Sequence, residues 1–320
     1  MSTLVFLEHH GESIQKGSLG VLTKAASLDP DTSAVIIGSG VAGLASIAGD
    51  YGATTVYIAD DASLEAPLPQ ARVDVISRLV SDKGFDTVLF GASVLAADVA
   101  GGVSARLDAG LNWDLNDLER TDGTLVGKRS ALGDTVRADV GWSSEPRLAL
   151  IRAGSFEAAA AGGEATVEQL PVDTEDFSTR AVMVEQAHAE HSGPSIEDAD
   201  ILVTGGRGLG APEAFALLEE LASAMGGAVA STRAVVDSGW YPYATQVGQT
   251  GKVVSPKLYI GAGISGAIQH KVGMQTSQVI VSINKDPNAP IFEFSDLGVV
   301  GDLHEIVPKL TELVKARKGA

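Results

Sequence analysis

The chain has no cysteine among its 320 residues. Disulfides, thiolate nucleophiles and cysteine-ligated zinc or iron-sulfur centres are therefore excluded. Basic residues are scarce: 23 lysines and arginines stand against 41 aspartates and glutamates, a formal charge of -18. That balance opposes an electrostatic hold on nucleic-acid phosphates or on anionic lipid surfaces. Long apolar runs are missing too. The longest uncharged stretch, Ser33 to Gly49, carries four glycines and is flanked by Asp31 and Asp50, which is poor for a bilayer span of about 20 apolar residues. The opening MSTLVFLEHHGES lacks a basic n-region and a small-residue cleavage site, so it reads as a first strand and the protein is expected in the cytoplasm. No segment repeats with a period of roughly 20 to 50 residues, which excludes solenoids.

What is present is the profile of a soluble globular protein, 45% hydrophobic and 20% charged, long enough for two ordinary domains. Short apolar runs recur, each ending in glycine or a turn: LVFLEHH, AVIIGSG, TVYIADD, TVLFGAS, LALIRAG, ILVTGG, LYIGAG and VIVSINKD. Most precede ten or more residues of helical character. Continuous rather than alternating apolarity marks strands buried on both faces, so the expected class is α/β, with a mainly parallel sheet flanked by helices in each of two domains.

A polar stretch from Ala187 to Asp200, holding Gly193 and Pro194, sets the expected boundary: an N-terminal domain over residues 1–190 and a C-terminal one over 191–320. Upstream of it, a Gly-Gly turn at 162–163 and edge strands close the first domain. From Asp302 to Lys318, apolar residues at helical spacing and late basic residues predict an amphipathic closing helix, with Pro308 a point of kinking or restart.

Two G-x-G-x-x-G patterns follow strands. Gly38, Gly40 and Gly43 are followed by Asp60 and Asp61, where a ribose-binding carboxylate of a nicotinamide site would stand; glycines that simply let a strand turn into a helix give the same spacing. Gly261, Gly263 and Gly266 lie among Arg233, Gln249, Thr250, Lys252, Ser265, Gln269 and His270. That density of donors beside glycine suits an anionic pyrophosphate. Metal binding is not expected: His188 and His191 stand three apart without a third ligand, and His9 and His10 on a strand point to opposite faces.

GRGLG at 206–210, TRAVVDSGW at 232–240, QVGQTGK at 246–252, GISGAIQH at 263–270, INKDPNAPIF at 283–292 and SDLGVVGDL at 295–303 closely resemble, in that order, the alpha subunit of electron transfer flavoprotein. The match runs through essentially the whole second domain; the first resembles the family only in LVFLEH and its α/β pattern. The resemblance implies a doubly wound, Rossmann-like C-terminal domain holding FAD in an extended pose. It also implies a beta subunit that contacts the N-terminal domain, covers the flavin and completes a heterodimer. Arg207, Ser265 and Gly266 would then lie along the pyrophosphate. Asn284, Asp302 and Leu303 would line the adenosine end. Thr232, Arg233, Val247, Gly248, Gln249, Thr250, Ala267, Ile268, Gln269 and His270 would surround the isoalloxazine and ribityl portions. Thr232 stands where the family often has serine, and the hydroxyl is kept.

Three of these residues are implied to tune the flavin. A fixed guanidinium charge at Arg233 in a low-dielectric cleft favours a negatively charged reduced ring. The Thr250 hydroxyl can donate toward N5 or O4, and His270 toward the pyrimidine C2 carbonyl. The implied function is an electron carrier from flavin dehydrogenases to a quinone oxidoreductase or comparable acceptor. An electron-bifurcating subunit and a nicotinamide-dependent dehydrogenase built on the Gly38 to Gly43 turn stay open beside it. Plain structural roles stay open as well: a surface ion pair for Arg233, turn chemistry for Gln249 and Thr250, a carbonyl-bonded core position for His270 and a helix N-cap for Asp302.

Overall fold

The computed structural model of the chain describes residues 2–132, 136–185 and 195–319. The chain divides into two compact units, Met1–Gln186 and Ala187–Ala320. The expected boundary at 190/191, and with it His188 and His191, lies outside the described residues.

The first unit opens with β1 (Thr3–Phe6), a hairpin of β2 (His9–His10) and β3 (Ser13–Ile14), and α1 (Lys16–Leu28). Next come β4 (Ser33–Gly38), α2 (Ala45–Asp50), β5 (Thr55–Asp60), α3 (Pro69–Lys83), β6 (Thr87–Gly91) and α4 (Val94–Leu107). The chain then forms β7 (Leu111–Thr121), β8 (Thr124–Ala131) and β9 (Val136–Val140), and returns through β10 (Arg147–Ile151) and β11 (Thr166–Gln169). The sheet order is β11-β5-β4-β1-β6-β10-β7-β8-β9. It is parallel from β11 to β7 and antiparallel only across β7, β8 and β9.

Burial explains the strand sequences. β4 reads Ser-Ala-Val-Ile-Ile-Gly and is buried at every position, as a strand covered on both faces must be. Along β1 and the residue after it, Leu4 and Phe6 enter one core layer while Val5 and Leu7 enter the other, the two-residue alternation of a pleated strand. Helix ends are set locally: Ser93 caps α4 by accepting from the Ala96 amide at 2.9 Å, and α3 starts on Pro69 and stops at Gly84 with φ +73°. The Gly-Gly turn upstream of the boundary leads into one edge strand, β11 against β5.

The second unit contains β12 (Ile201–Gly205), α5 (Phe215–Met225), β13 (Ala228–Thr232), the short α6 (Arg233–Val236), β14 (Gln246–Val247), β15 (Leu258–Ala262), α7 (Ile268–Met274), β16 (Val279–Asn284), β17 (Leu297–Val300) and α8 (Leu303–Lys318). Its sheet is parallel throughout, in the order β14-β13-β12-β15-β16-β17. Counted within the unit this is the 3-2-1-4-5-6 order of a doubly wound dinucleotide fold. Leu202 packs on one face of the sheet and Val203 on the other. The closing helix forms as its periodicity implies. Asp302 caps it by accepting from the His304 amide at 2.8 Å, Lys315, Arg317 and Lys318 occupy its last turn, and it does not restart at Pro308. Among the described residues no helix is long and apolar enough to cross a membrane.

Candidate functional site

In the second sheet the chain leaves β12 toward β13 on one side and enters β15 on the other. That divergence is the topological switch point at which open α/β sheets hold ligands, outside the carboxyl ends of the strands. A cavity of about 490 Å³ lies there, within the range of small-molecule and cofactor sites, roughly 300–1,000 Å³. Its wall is built from the loops after four strands: Gly206 to Gly208 after β12, Thr232 and Arg233 after β13, Val247 to Thr250 at β14, and Gly263 to Ser265 with Ala267, Gln269 and His270 after β15.

Glycine makes the close approach of these loops possible. The Gly208 amide donates to the Gly263 carbonyl at 3.0 Å, and a Cβ added to Gly208 would meet the Gly263 Cα at 2.6 Å. Gly263 itself has φ +66°, a left-handed conformation that costs L-residues other than glycine. The β14 loop is tied to α7 by the Gln249 amide donating to the Gln269 carbonyl at 2.8 Å.

The side chains define a polar, cation-bearing lining. Arg207 is exposed and makes no ion pair among the described residues. The Thr250 hydroxyl oxygen accepts from Gln246 Nε2 at 3.2 Å, which leaves its proton free to donate to a ligand. Ser265 and Gln269 are exposed on the wall.

Two residues differ from the sequence-based expectation. Arg233 lines the cavity, but its side chain is 65% exposed and pairs with Asp237 at 3.2 Å. It sits at a wet rim, where a charge acts through a higher effective dielectric than in the expected interior cleft. His270 is buried on the wall with both ring nitrogens engaged: Nδ1 lies 3.0 Å from the Val247 carbonyl and Nε2 lies 2.7 Å from the Tyr259 hydroxyl. Both ring nitrogens from which donation to a flavin carbonyl is expected are thus engaged within the chain in this arrangement. Desolvation lowers the imidazole to about 4, with the Val247 carbonyl working weakly against it.

Of the residues expected at the site, Arg207, Thr232, Arg233, Val247, Gly248, Gln249, Thr250, Ser265, Ala267, Gln269 and His270 come together on this wall. The other five do not line it. Gly266, at φ +89°, packs against the backbone of Ile291, and Ile268 is 61% exposed on α7. Asn284 donates to the Ile264 carbonyl at 2.9 Å, Asp302 caps α8, and Leu303 is buried in the core. Asp237 on the wall, just past the end of α6, escaped the sequence reading, although its place four residues after Arg233 carried the signal of an ion pair.

The other G-x-G-x-x-G pattern has a different fate. The Asp60 carboxylate accepts the amides of Gly40, Val41 and Ala42 at 2.7, 3.1 and 3.2 Å, so the chain's own acid fills the nest a phosphate would use. His9 lies against Gly38, where an added Cβ would meet Nε2 at 2.4 Å. At the switch point between β1 and β6, buried Glu8 accepts from Gln15 Nε2 at 2.8 Å and is hydrogen-bonded to the Ser93 hydroxyl. Asp60 is thus engaged by its own loop where the nicotinamide alternative expects a ribose contact, and Asp61, the other candidate, accepts from the Ser63 amide at 2.8 Å. A cavity of about 550 Å³ beside β7 to β9 is lined by Asp117, Lys128, Arg137 and Asp139 among others. Lys128 pairs with Glu119 and Asp139, and Asp117 with Lys24; no glycine cradle accompanies them.

Strand order, switch-point cavity and glycine-mediated loop contact together define the second unit as a dinucleotide-type binding domain. Comparison with known proteins makes this specific. Residues 195–275 match the family described as electron transfer flavoprotein FAD-binding domain, and residues 3–175 match the electron transfer flavoprotein domain. The chain is 41% identical over 322 residues to the electron transfer flavoprotein subunit alpha of Mycobacterium tuberculosis and 38% identical over 320 residues to that of Mycobacterium leprae, covering 99% of both chains in each case. It is also 38% identical over 319 residues to protein FixB of Clostridium saccharobutylicum, covering 97% of this chain and 95% of the relative. The chain belongs to the family of electron transfer flavoprotein alpha subunits.

Proposed function

We propose that the cavity of the second unit binds FAD and that the chain is the alpha half of a cytoplasmic heterodimer with an electron transfer flavoprotein beta subunit. The complex takes electrons from flavin dehydrogenases and passes them to a quinone oxidoreductase or comparable acceptor. The observation that carries this reading is the convergence, at the switch point of a domain of a FAD-binding family, of Arg207, which has no ion pair among the described residues, with a Thr250 hydroxyl whose proton can be donated.

The residues present fit the group. Arg207 and Ser265 supply a charge and a hydroxyl for a pyrophosphate, and the glycines let backbone approach it. Arg233 brings a second cation to the rim, and Thr250 a donor for a ring nitrogen or carbonyl. Bound flavin supplies the reversible one- and two-electron chemistry; the chain orients it, sets its charge environment and limits water. Exposure of Arg233, Gln249 and Thr250 leaves one side of the cavity for a partner to cover. The expected adenosine contacts, Asn284, Asp302 and Leu303, stand near the ends of β16 and β17 and belong to the same reading, as does an N-terminal domain over residues 1–190 that contacts the beta subunit.

Coexpression with the beta subunit, purification of the complex and identification of the nucleotide released on denaturation test the proposal. FAD in about equal amount to the chain is the expected result. A colourless complex, or one releasing only NAD, would overturn it.

A further inference from the structure

Tyr259, on β15, is fully buried and is absent from the cavity wall, yet its hydroxyl reaches the one buried titratable side chain on that wall among the described residues. The direction of this hydrogen bond follows from its neighbours. The Val247 carbonyl can only accept, so His270 Nδ1 must carry a proton. In the neutral ring Nε2 is then an acceptor, and the Tyr259 hydroxyl must be the donor.

We propose that Tyr259 is a positioning residue of the cavity: by donating to Nε2 it fixes His270 as the neutral Nδ1–H tautomer, leaving Arg207 and Arg233 as the side-chain cations of the wall. The other groups facing this pair favour the same state. Charged side chains on the wall are Arg207, Arg233 and Asp237, and α7 adds Lys271, whose ammonium lies over the Phe294 ring; among the described residues no carboxylate is bonded to the imidazole to favour its cation. Burial pushes the Tyr259 phenol up, and the enclosed Thr204 hydroxyl only tempers that rise, so the phenol keeps the proton it donates. A ligand that gains negative charge meets guanidinium charge here, and that charge does not change across neutral pH.

The part of this inference that concerns a ligand rests on the FAD reading; the tautomer does not, and the experiment separates them. Nitrogen-15 spectra of ring-labelled histidine in the purified heterodimer report which nitrogen bears hydrogen, and flavin absorbance is read on the same sample. The expected result is a neutral Nδ1–H ring for His270 at pH 6 to 8. A charged ring at pH 6, or an Nε2–H ring, overturns the inference. A complex with the expected tautomer but no flavin upholds the inference and refutes the cofactor reading. In Tyr259→Phe, Nε2 loses its donor, and its titration is expected to move up toward the ordinary histidine range, with a matching inflection appearing in the flavin potential between pH 5 and 7. An Nε2 signal and a potential profile unchanged from wild type would overturn it. Should Tyr259→Phe fail to fold, the wild-type spectrum alone decides.

Discussion

The carboxylate of Asp60 lies 2.7 Å from the amide of Gly40 and takes the next two amides as well. An acid twenty residues downstream closes the loop that a nucleotide phosphate would occupy in a dinucleotide fold. In the second unit, the corresponding loop is joined to its neighbour through glycine and leaves Arg207 without an ion pair among the described residues. The difference between the two G-x-G-x-x-G turns is thus one of occupancy by the chain itself.

Asp60→Ala removes an acceptor shared by three exposed or half-buried amides. The expected cost is about 1–2 kcal/mol of stability, measured by urea unfolding, with flavin content unaltered. Loss of pigment in a folded Asp60→Ala complex would contradict the role given to this turn.

Gly208→Ala places a Cβ against the Gly263 backbone, which cannot withdraw as a flexible side chain would. Overpacking of this kind costs about 1–3 kcal/mol. The variant is expected to unfold earlier and to lose flavin affinity out of proportion to that cost, because the two loops that flank the switch point are forced apart. Retention of wild-type affinity would show that the Gly208 to Gly263 contact does not shape the site.

Arg233→Ala breaks only an exposed ion pair with Asp237, so stability should change by less than about 1 kcal/mol. Loss of a hydrogen bond to a charged group predicts flavin binding weaker by about ten- to hundredfold and a lower one-electron potential. Titration of absorbance against dithionite with a reference dye checks the potential; an unchanged value would reduce Arg233 to its surface pairing.

His270 also gives the fold a pH dependence. Buried and neutral, it titrates at about 4 in the folded protein, against roughly 6.5 in an unfolded chain. Between these values the unfolded state holds a proton that the folded state lacks, so stability rises with pH there. Lowering the pH from 7 to 4 should therefore remove on the order of 3 kcal/mol through this group. Urea titrations of wild type and His270→Gln over that range should diverge toward high pH; parallel curves would contradict the assignment.

Continuous apolar runs such as AVIIG and LYIGA made the parallel strands legible, since burial on both faces demands that composition. The β7 to β9 arm was not legible: its strands are half exposed and mix Asn, Asp and Arg with Leu, so no simple pattern marks them. Much of the cavity wall could be read from glycine and donor density near residues 233, 249 and 265, and the loop at 206 from its resemblance to the family. Occupancy could not. Whether Asp60 faces a ribose or its own loop, whether Arg233 is sheltered or wet, and whether His270 has a proton to give depend on contacts between residues 4 to 23 positions apart, which local sequence does not specify.

The proposed function puts the flavin against Ser265 in the second unit. Ser265 is exposed on the cavity wall, so Ser265→Trp fills the cavity without disturbing a core. Fluorescence titration of FAD into the flavin-stripped heterodimer should give one site per chain in wild type and an affinity at least about a hundredfold weaker, a loss of about 2.7 kcal/mol, in the variant. Equal affinity in the two proteins would place the flavin elsewhere and contradict the account.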